Sequence, residues 1–269
     1  MAHSGRPTWA LLWTLLVPLV PSRPAFAAPQ ETQMTDRSSS ALLRARPHAP
    51  AQEPLAAGSQ PLLPQGRRRG LLVAPSGCRP DRPAALCVLL HGAGGDAAGM
   101  AALLAPLVRA LPDTVWMFPE SRGATWDVIL DDFGPDVAGV DAALASVLDR
   151  CAIDPARIVV GGFSDGASYA LTLGLANGGL FSAILAFSPG FDAAPAHQGR
   201  PRVLVSHGDD DRVLPVDRTS RRIVPRLLRE GYDVTYLEFD GAHAVPQEIQ
   251  DRAVRWLGWG NARAQPAAP

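Results

Sequence analysis

The sequence contains no lysine, few cysteines and almost no excess of charge of either sign. Its 269 residues carry 25 basic side chains, all of them arginine, and 26 acidic ones, for a net charge of −1 at pH 7. A balance of this kind gives no extended basic surface of the sort that holds nucleic acid. A nucleic-acid partner is therefore not expected.

Only three cysteines are present, Cys78, Cys87 and Cys151, and they limit the thiol and metal chemistry of the chain. Their spacing matches no zinc-binding pattern, and neither a metal nor a cofactor is expected. An odd number leaves at least one thiol unpaired, whichever pair forms. Cys87 lies in the apolar run Leu86 to Leu90, so we expect it to be a small core residue.

Long apolar runs are also absent outside the N-terminus. There Arg6 is followed by an apolar run from Trp9 to Val20 and then by Ala25-Phe26-Ala27, the order typical of an export signal. The run is shorter than the roughly 20 residues that span a bilayer, which disfavours the alternative of an uncleaved anchor. We predict a signal peptide over residues 1–27, a secreted or periplasmic protein, and no stable membrane insertion after cleavage.

The composition then changes twice along the chain. Residues 28–65 are rich in Pro, Ala, Ser and Gln with little apolar periodicity, which predicts a flexible leader. From Arg69 onward, short apolar runs alternate with helical stretches, a pattern typical of βαβ units. We predict one α/β domain over residues 66–260, with a mostly parallel central sheet flanked by helices, and a disordered tail over 261–269.

Seven apolar runs are predicted strands, and most are continuously apolar, as buried parallel strands are. They are Gly70 to Val73, Ala85 to Leu90, Thr114 to Phe118, Arg157 to Val160, Phe181 to Phe187, Val203 to Ser206 and Val234 to Phe239. Helical periodicity predicts one helix over Asp136 to Cys151. A second is predicted around Val216 to Glu230, kinked or divided at Pro225.

Gly161 to Gly166 carries the sequence GGFSDG, directly after a predicted strand and before a helical stretch through Leu173. This is the G-x-S-x-G motif in the strand, turn and helix context that lifts a nucleophilic serine above a sheet. Glycine is required at Gly162 and Gly166 because a Cβ atom there would collide with the neighbouring strand and helix. The motif alone also occurs by chance in Gly-rich turns, so the preceding strand carries much of the inference. Ser164 is the candidate nucleophile.

A serine hydroxyl needs a histidine base and a third group that orients this base. His243 follows the last predicted strand, and the carboxylates Asp209, Asp210 and Asp211 follow the strand before it. The chain order Ser, Asp, His is the one that accompanies a G-x-S-x-G turn. His243 is therefore the candidate base, and the acid is one of the three aspartates.

Several segments together resemble one family, the phospholipase/carboxylesterase branch of the α/β-hydrolases, with similarity also to dienelactone-hydrolase-like and polyhydroxybutyrate-depolymerase-like esterases. The resemblance covers about Gly70 to Gly258. It rests on His91 to Gly95, Thr125-Trp126-Asp127, Gly162 to Gly166, His207 to Pro215, and Gly241-Ala242-His243 with Pro246. It implies the α/β-hydrolase fold and a Ser-His-Asp serine hydrolase.

The resemblance also assigns individual residues. In the family pattern H-G-x-x-D-x-x-x-P the acid position falls on Asp211, with Asp210 as the alternative. The tetrahedral intermediate needs preformed amide donors, and we predict an oxyanion hole from the amides of Asp165 and Ala93. Related enzymes place a tryptophan near the acyl site, which makes Trp126 a candidate substrate contact. Packing of Trp126 beneath the helix that begins near Gly134 is an equally open alternative.

Only Ser188 to Arg202 separates two of the predicted strands, too few residues for a helical cap domain. An uncapped site suits small-molecule or polymeric ester substrates. The sequence therefore predicts a secreted serine esterase of the carboxylesterase or phospholipase type that forms an acyl-enzyme. The alternatives are a polyhydroxybutyrate-type polyester depolymerase or an aryl or feruloyl esterase, and, outside enzymes, a catalytically silent binding protein of the same fold.

Overall fold

Eight strands form one sheet in the described chain, which a computed structural model covers over residues 41–63, 70–76, 78, 81–130 and 133–259. They are β1 (Gly58–Pro61), β2 (Gly70–Ala74), β3 (Ala84–Leu90), β4 (Thr114–Pro119), β5 (Ile153–Phe163), β6 (Ala183–Phe187), β7 (Arg202–Gly208) and β8 (Val234–Phe239). Their spatial order is β1-β2-β4-β3-β5-β6-β7-β8. The pairs β1/β2 and β2/β4 are antiparallel, and the other pairs are parallel.

Helices cover both faces of this sheet. They are α1 (Ala97–Leu103), α2 (Ala105–Ala110), α3 (Pro135–Leu148), α4 (Asp165–Ala176), α5 (Ser220–Arg229) and α6 (Gln247–Leu257), with short 3-10 helices at Asp127–Leu130 and Val216–Arg218. Apolar residues of α3, α4 and α5 form one core cluster, and those of α1, α2 and α6 form a second. All seven residues of β3 are buried, because a parallel strand with helices on both faces meets no solvent. The predicted mostly parallel sheet flanked by helices is confirmed.

The predicted cap-free connection is also present. Residues 188–201, between β6 and β7, are all described and contain no helix. Among the helices of the described residues, none is both long and apolar enough to cross a bilayer. The predicted signal peptide and the predicted tail lie outside the described residues.

The helix predicted around Val216 to Glu230 differs in where it is interrupted. The break lies at Thr219, which separates the 3-10 helix from α5, whereas Pro225 stands inside a continuous α5. Thr219 has φ −124° and ψ −99°, outside the helical region, so the chain turns there before α5 begins. The proline removes one backbone donor without ending the helix.

Residues 41–63, which the composition predicts to belong to a flexible leader, lie packed on the domain as a strap. The Leu43 amide donates to Asn177 Oδ1 at 2.8 Å, and Asn177 Nδ2 donates back to the Ala41 carbonyl at 2.7 Å. Leu43, Leu55 and Leu62 are each at most 5% exposed. Three buried leucines, together with hydrogen bonds from the backbone to the distant Asn177, therefore order a segment that has no apolar periodicity of its own.

A disulfide joins Cys78, just before β3, to Cys151, just after α3. It closes a loop with a sequence separation of 73 residues. Cys87 is a free, fully buried thiol inside β3, which confirms its predicted place in the core. Burial raises the pKa of this thiol far above its usual range.

Candidate active site

Three of the predicted site residues lie at one edge of the sheet, where the carboxyl ends of parallel strands meet. Ser164 follows β5, Asp211 follows β7 and His243 follows β8. The last residues of β5 and β6 are paired, as are those of β7 and β8, and β6 ends opposite Ser206, two residues before the end of β7. Segments far apart in the chain are thus brought together by strand pairing alone.

Ser164 occupies a strained turn between β5 and α4. Its backbone angles are φ 58° and ψ −119°, a conformation that a residue with a side chain adopts only where its surroundings enforce it. A Cβ atom on Gly162 would lie 2.3 Å from the Gly166 carbonyl oxygen, and one on Gly166 would lie 2.1 Å from the Leu90 carbonyl oxygen. The steric reason given for the two motif glycines is therefore confirmed, and the turn has little freedom to relax.

Asp211 is the carboxylate that contacts the imidazole. Its side chain is 0% exposed, and its Oδ2 lies 2.6 Å from His243 Nδ1. Its Oδ1 accepts the amides of Val213 at 2.9 Å and Leu214 at 2.8 Å. Burial by itself raises the pKa of Asp211, but the bonds from the Leu214 amide, His243 and the Val213 amide outweigh it and hold this pKa below its usual value.

The two neighbouring aspartates have other partners. Asp209 Oδ1 accepts the Gly241 amide at 3.1 Å, which ties the loop after β7 to the loop after β8. Asp210 pairs with Arg212 at 3.3 Å, and both side chains are mostly exposed. The structure thus brings Asp211, and neither of its neighbours, to His243.

His243 lies beside the strained turn. Its ring contacts the Phe163 ring with 4.6 Å between centroids, and Phe163 directly precedes Ser164. Because Nδ1 faces Asp211, Nε2 is the ring nitrogen left to exchange a proton. The ring is 15% exposed, so one edge remains accessible.

Two other histidines hold the surrounding loops through hydrogen bonds at both ring nitrogens. His207 is fully buried: its Nδ1 accepts from the Ser220 hydroxyl at 2.7 Å and its Nε2 donates to the Leu214 carbonyl at 2.7 Å. Burial lowers the pKa of His207 despite these bonds and the nearby Asp211. His91 Nε2 accepts the Ser121 amide at 3.1 Å, while its Nδ1 donates to the Gly92 carbonyl at 2.8 Å.

The predicted oxyanion amides belong to two elements that meet at Ser164. Asp165 is the first residue of α4, where amides have no partner within the helix. Ala93 is exposed in the loop that follows β3. In that loop the Gly94 amide, at φ 70°, donates to the Ala124 carbonyl at 2.6 Å.

Trp126 does not have the position of a substrate contact. It is 0% exposed and stacks on Tyr169 of α4 with 4.9 Å between ring centroids, and its indole Nε1 donates to the His91 carbonyl at 2.8 Å. A side chain without accessible surface cannot touch a substrate, so the prediction of a substrate-binding Trp126 is wrong for this structure. The tryptophan packs beneath the site, against α4, and supports the loop that carries Ala93.

A pair of buried aspartates beside Trp126 was not predicted. Asp127 Oδ2 accepts the amide of Asp136 at 2.8 Å, and Asp136 Oδ2 accepts the amide of Asp127 at 3.0 Å. Asp127 Oδ1 also accepts the Tyr169 hydroxyl at 2.8 Å. In the sequence, Asp127 ends the Thr125-Trp126-Asp127 motif and Asp136 begins a predicted helix, but their reciprocal pairing depends on the tertiary fold.

A mostly parallel sheet covered on both faces, with a serine in a strained turn after β5 and a His-Asp pair at the same edge, defines an α/β-hydrolase. Within the described residues, no cluster of three or more His, Cys, Asp or Glu side chains is arranged to hold a metal ion.

Comparison with known proteins agrees with this class. The sequence matches the phospholipase/carboxylesterase family over residues 138–253. It is 29% identical over 172 residues to feruloyl esterase C of Emericella nidulans, an alignment that covers 60% of this chain and 63% of that protein. The chain therefore spans less than two thirds of this relative.

Two solved structures share the fold. The crystal structure of esterase PE8 is 27% identical with a TM-score of 0.58, covering 72% of this chain and 99% of that one. The phospholipase/carboxylesterase from Dyadobacter fermentans DSM 18053 is 20% identical with a TM-score of 0.55, covering 77% and 99%, a likeness of fold. The chain therefore has the α/β-hydrolase fold, and less than half of its length, residues 138–253, matches the phospholipase/carboxylesterase family.

Proposed function

We propose that the protein is an exported serine esterase that hydrolyses carboxylic esters, with Ser164 as nucleophile, His243 as base and Asp211 as the orienting acid. The observation that carries the proposal is the 2.6 Å contact between His243 Nδ1 and Asp211 Oδ2 at the strained turn that presents Ser164. A surface ion pair would not need a buried carboxylate held by two further amides. This arrangement fixes a histidine tautomer, which is what a nucleophilic serine requires.

The reaction then proceeds in two halves. Ser164 Oγ attacks the ester carbonyl carbon while its proton passes to His243 Nε2, and the carbonyl oxygen becomes an oxyanion held by the amides of Asp165 and Ala93. The C–O bond to the alcohol breaks, and the alcohol leaves with the proton from His243. Water attacks the acyl-enzyme in the same way, giving the carboxylic acid and free Ser164.

Asp211 remains ionised throughout this cycle. Its lowered pKa and its two amide bonds keep it a carboxylate near neutral pH, so it stabilises the imidazolium that forms on His243. His207, 3.2 Å from Asp211 Oδ2, stays neutral because burial lowers its pKa, and so it does not compete with His243 for the negative charge.

Export is supported by the disulfide between Cys78 and Cys151. Disulfides persist in oxidising compartments such as the periplasm or the medium and are rare in the cytosol. The predicted signal peptide over residues 1–27 accounts for transport to such a compartment. We therefore propose a secreted or periplasmic location.

For the substrate, we propose an ester whose acyl group enters from open solvent. The connection between β6 and β7 has no cap helix, which leaves room for a bulky acyl or polymeric group. The similarity to feruloyl esterase C favours an aryl ester such as a ferulate as the second candidate. A polyester of the polyhydroxybutyrate type is the alternative that the open site also admits. A catalytically silent binding protein would be expected to have lost a residue of the triad, and all three are present.

The test is a substrate panel run with a nucleophile variant. Nitrophenyl esters of increasing chain length, methyl ferulate and polyhydroxybutyrate film would be assayed with the wild type, Ser164→Ala and the control Ser59→Ala, which alters an exposed serine on β1. We expect Ser164→Ala to lose about 10⁴-fold or more in kcat while Ser59→Ala retains full activity. A fluorophosphonate should label Ser164 alone, and near-normal turnover by Ser164→Ala would refute the proposal.

A further inference from the structure

The carboxyl group of Asp165 has no role in the reaction described above, which uses only its backbone amide. Its side chain is buried, with the residue 7% exposed, and it stands directly after the nucleophile. Oδ2 accepts the Thr125 hydroxyl in a short hydrogen bond and the Trp126 amide at 3.2 Å, whereas Oδ1 is buried with no hydrogen-bond partner. Burying a carboxyl oxygen without a hydrogen bond costs free energy. The contacts that the other oxygen makes must offset this cost.

The Asp165 side chain holds Thr125 and Trp126, and these two residues, with Ala124 before them, contact the loop that carries Ala93. The Ala124 carbonyl accepts the Gly94 amide at 2.6 Å. The Trp126 indole donates to the His91 carbonyl at 2.8 Å. The loop after β3 is thus tied at His91 to Trp126, which the Asp165 side chain holds, and at Gly94 to Ala124, which directly precedes Thr125.

The helix contributes a second support one turn later. Tyr169 lies four residues after Asp165, on the same face of α4, and its hydroxyl donates to Asp127 Oδ1 at 2.8 Å while its ring stacks on Trp126. Two side chains of α4, those of Asp165 and Tyr169, therefore hold three consecutive residues after β4, which are Thr125, Trp126 and Asp127. Because α4 also begins at the nucleophile, the two sources of oxyanion donors are connected through one rigid element.

We propose that Asp165 is a positioning residue, whose carboxyl group sets the distance between the two oxyanion amides by holding the Thr125–Trp126 segment, and with it the Ala93 loop, against the N-terminus of α4. The inference rests on the proposed serine esterase function and adds a role for a side chain within it. Amide donors stabilise the oxyanion only when they are already aimed at it, so a shift of the Ala93 loop weakens binding of the transition state more than binding of the substrate.

The electrostatic setting is compatible with this role. Burial raises the pKa of the Asp165 carboxyl group, although its bonds from Thr125 and Trp126 and the nearby His91 act in the opposite direction. An amide side chain has the same shape, and its oxygen can take the Oδ2 position that accepts from Thr125 and Trp126, so Asp165→Asn is the conservative variant.

The test compares Asp165→Ala, Asp165→Asn and Thr125→Val with a matched control, Asp154→Ala, which removes a carboxylate near the opposite end of β5 that accepts the Ala156 amide at 2.9 Å. Active-site concentration is set by fluorophosphonate titration, and kcat, KM and the affinity for a trifluoromethyl ketone are measured. We expect Asp165→Ala to lower kcat about 10- to 100-fold, part of the roughly 10²- to 10³-fold that loss of a whole donor costs. KM should change by less than about threefold, and ketone affinity should fall in parallel with kcat.

Asp165→Asn should restore kcat to within about threefold of the wild type, and Asp154→Ala should leave kcat and ketone affinity unchanged. Thr125→Val tests the same contact if Asp165→Ala does not fold, and in the double variant its effect should not add to that of Asp165→Ala. Wild-type kcat and ketone affinity in Asp165→Ala or, failing that, in Thr125→Val would overturn the proposal, as would equal losses in Asp165→Ala and Asp165→Asn. Activity in Ser164→Ala would instead refute the esterase function itself.

Discussion

Replacing Asp211 by asparagine changes one atom of the carboxylate and tests the proposed orientation of His243. The amides of Val213 and Leu214, at 2.9 and 2.8 Å, need an acceptor, so the asparagine oxygen is expected to stay at the Oδ1 position. The NH₂ group then takes the Oδ2 position, 2.6 Å from His243 Nδ1. It donates to Nδ1 and so places the imidazole proton on Nε2.

With a proton on Nε2, the imidazole cannot accept one from Ser164. The charge-assisted bond that stabilises the imidazolium is lost as well. We expect kcat for a nitrophenyl ester to fall on the order of 10⁴-fold, about 5 kcal/mol of barrier, with the unfolding transition retained because the amide bonds remain.

The neighbouring carboxylates supply the controls. Asp209→Asn keeps the Oδ1 acceptor for the Gly241 amide, and Asp210→Asn loses only an exposed pair with Arg212, worth about 0 to 1 kcal/mol. Both variants should retain kcat within about threefold. A large loss in Asp210→Asn together with near-normal Asp211→Asn would show that the loop is displaced by one residue, and mild losses in all three would refute the assignment.

Three further expectations concern stability. Burial lowers the pKa of His207, so below about pH 6.5 the unfolded chain binds one more proton than the folded chain, and the free energy of unfolding decreases as the pH falls. Urea unfolding of the wild type at pH 7.5 and 5.5 should show a larger decrease than that of His207→Gln. An equal decrease in both proteins would contradict this. Breaking the disulfide that joins Cys78 and Cys151 across 73 residues should cost about 4 kcal/mol. An unfolding midpoint unchanged by reductant would argue against that cost. Leu43→Ala, in the buried part of the strap, should cost about 2 to 4 kcal/mol, whereas Leu42→Ala, 47% exposed, should cost little in the same denaturation series.

The sequence could predict the elements whose signal is local. Apolar runs predicted the seven strands from β2 to β8, most clearly the central parallel strands such as β3, which are buried on both faces and leave no polar positions. The turn at Ser164 was predictable because its two flanking glycines answer a steric requirement within a few residues of chain and one neighbouring strand. The order Ser, Asp, His along the chain accompanies such a turn, and the resemblance to the family placed the acid at Asp211.

Local signals were insufficient where stability comes from distant partners. The strap around Leu43 has the composition of a disordered segment, yet it is held by Asn177, 134 residues away. Trp126 could have served as a substrate contact or a core residue, and only its stacking on Tyr169 and its bond to the His91 carbonyl place it in the core.

By itself, then, the sequence determined the α/β class, the position of the serine turn and the set of residues that could take part in catalysis, since each depends on the spacing of apolar and glycine residues along the chain. Only the tertiary structure decided which of three adjacent aspartates contacts His243, that Cys78 pairs with Cys151, and that the Asp165 side chain accepts from Thr125 and Trp126. These outcomes depend on how loops from separate strands meet at one edge of the sheet, and strand pairing in three dimensions, rather than spacing in the sequence, sets those distances.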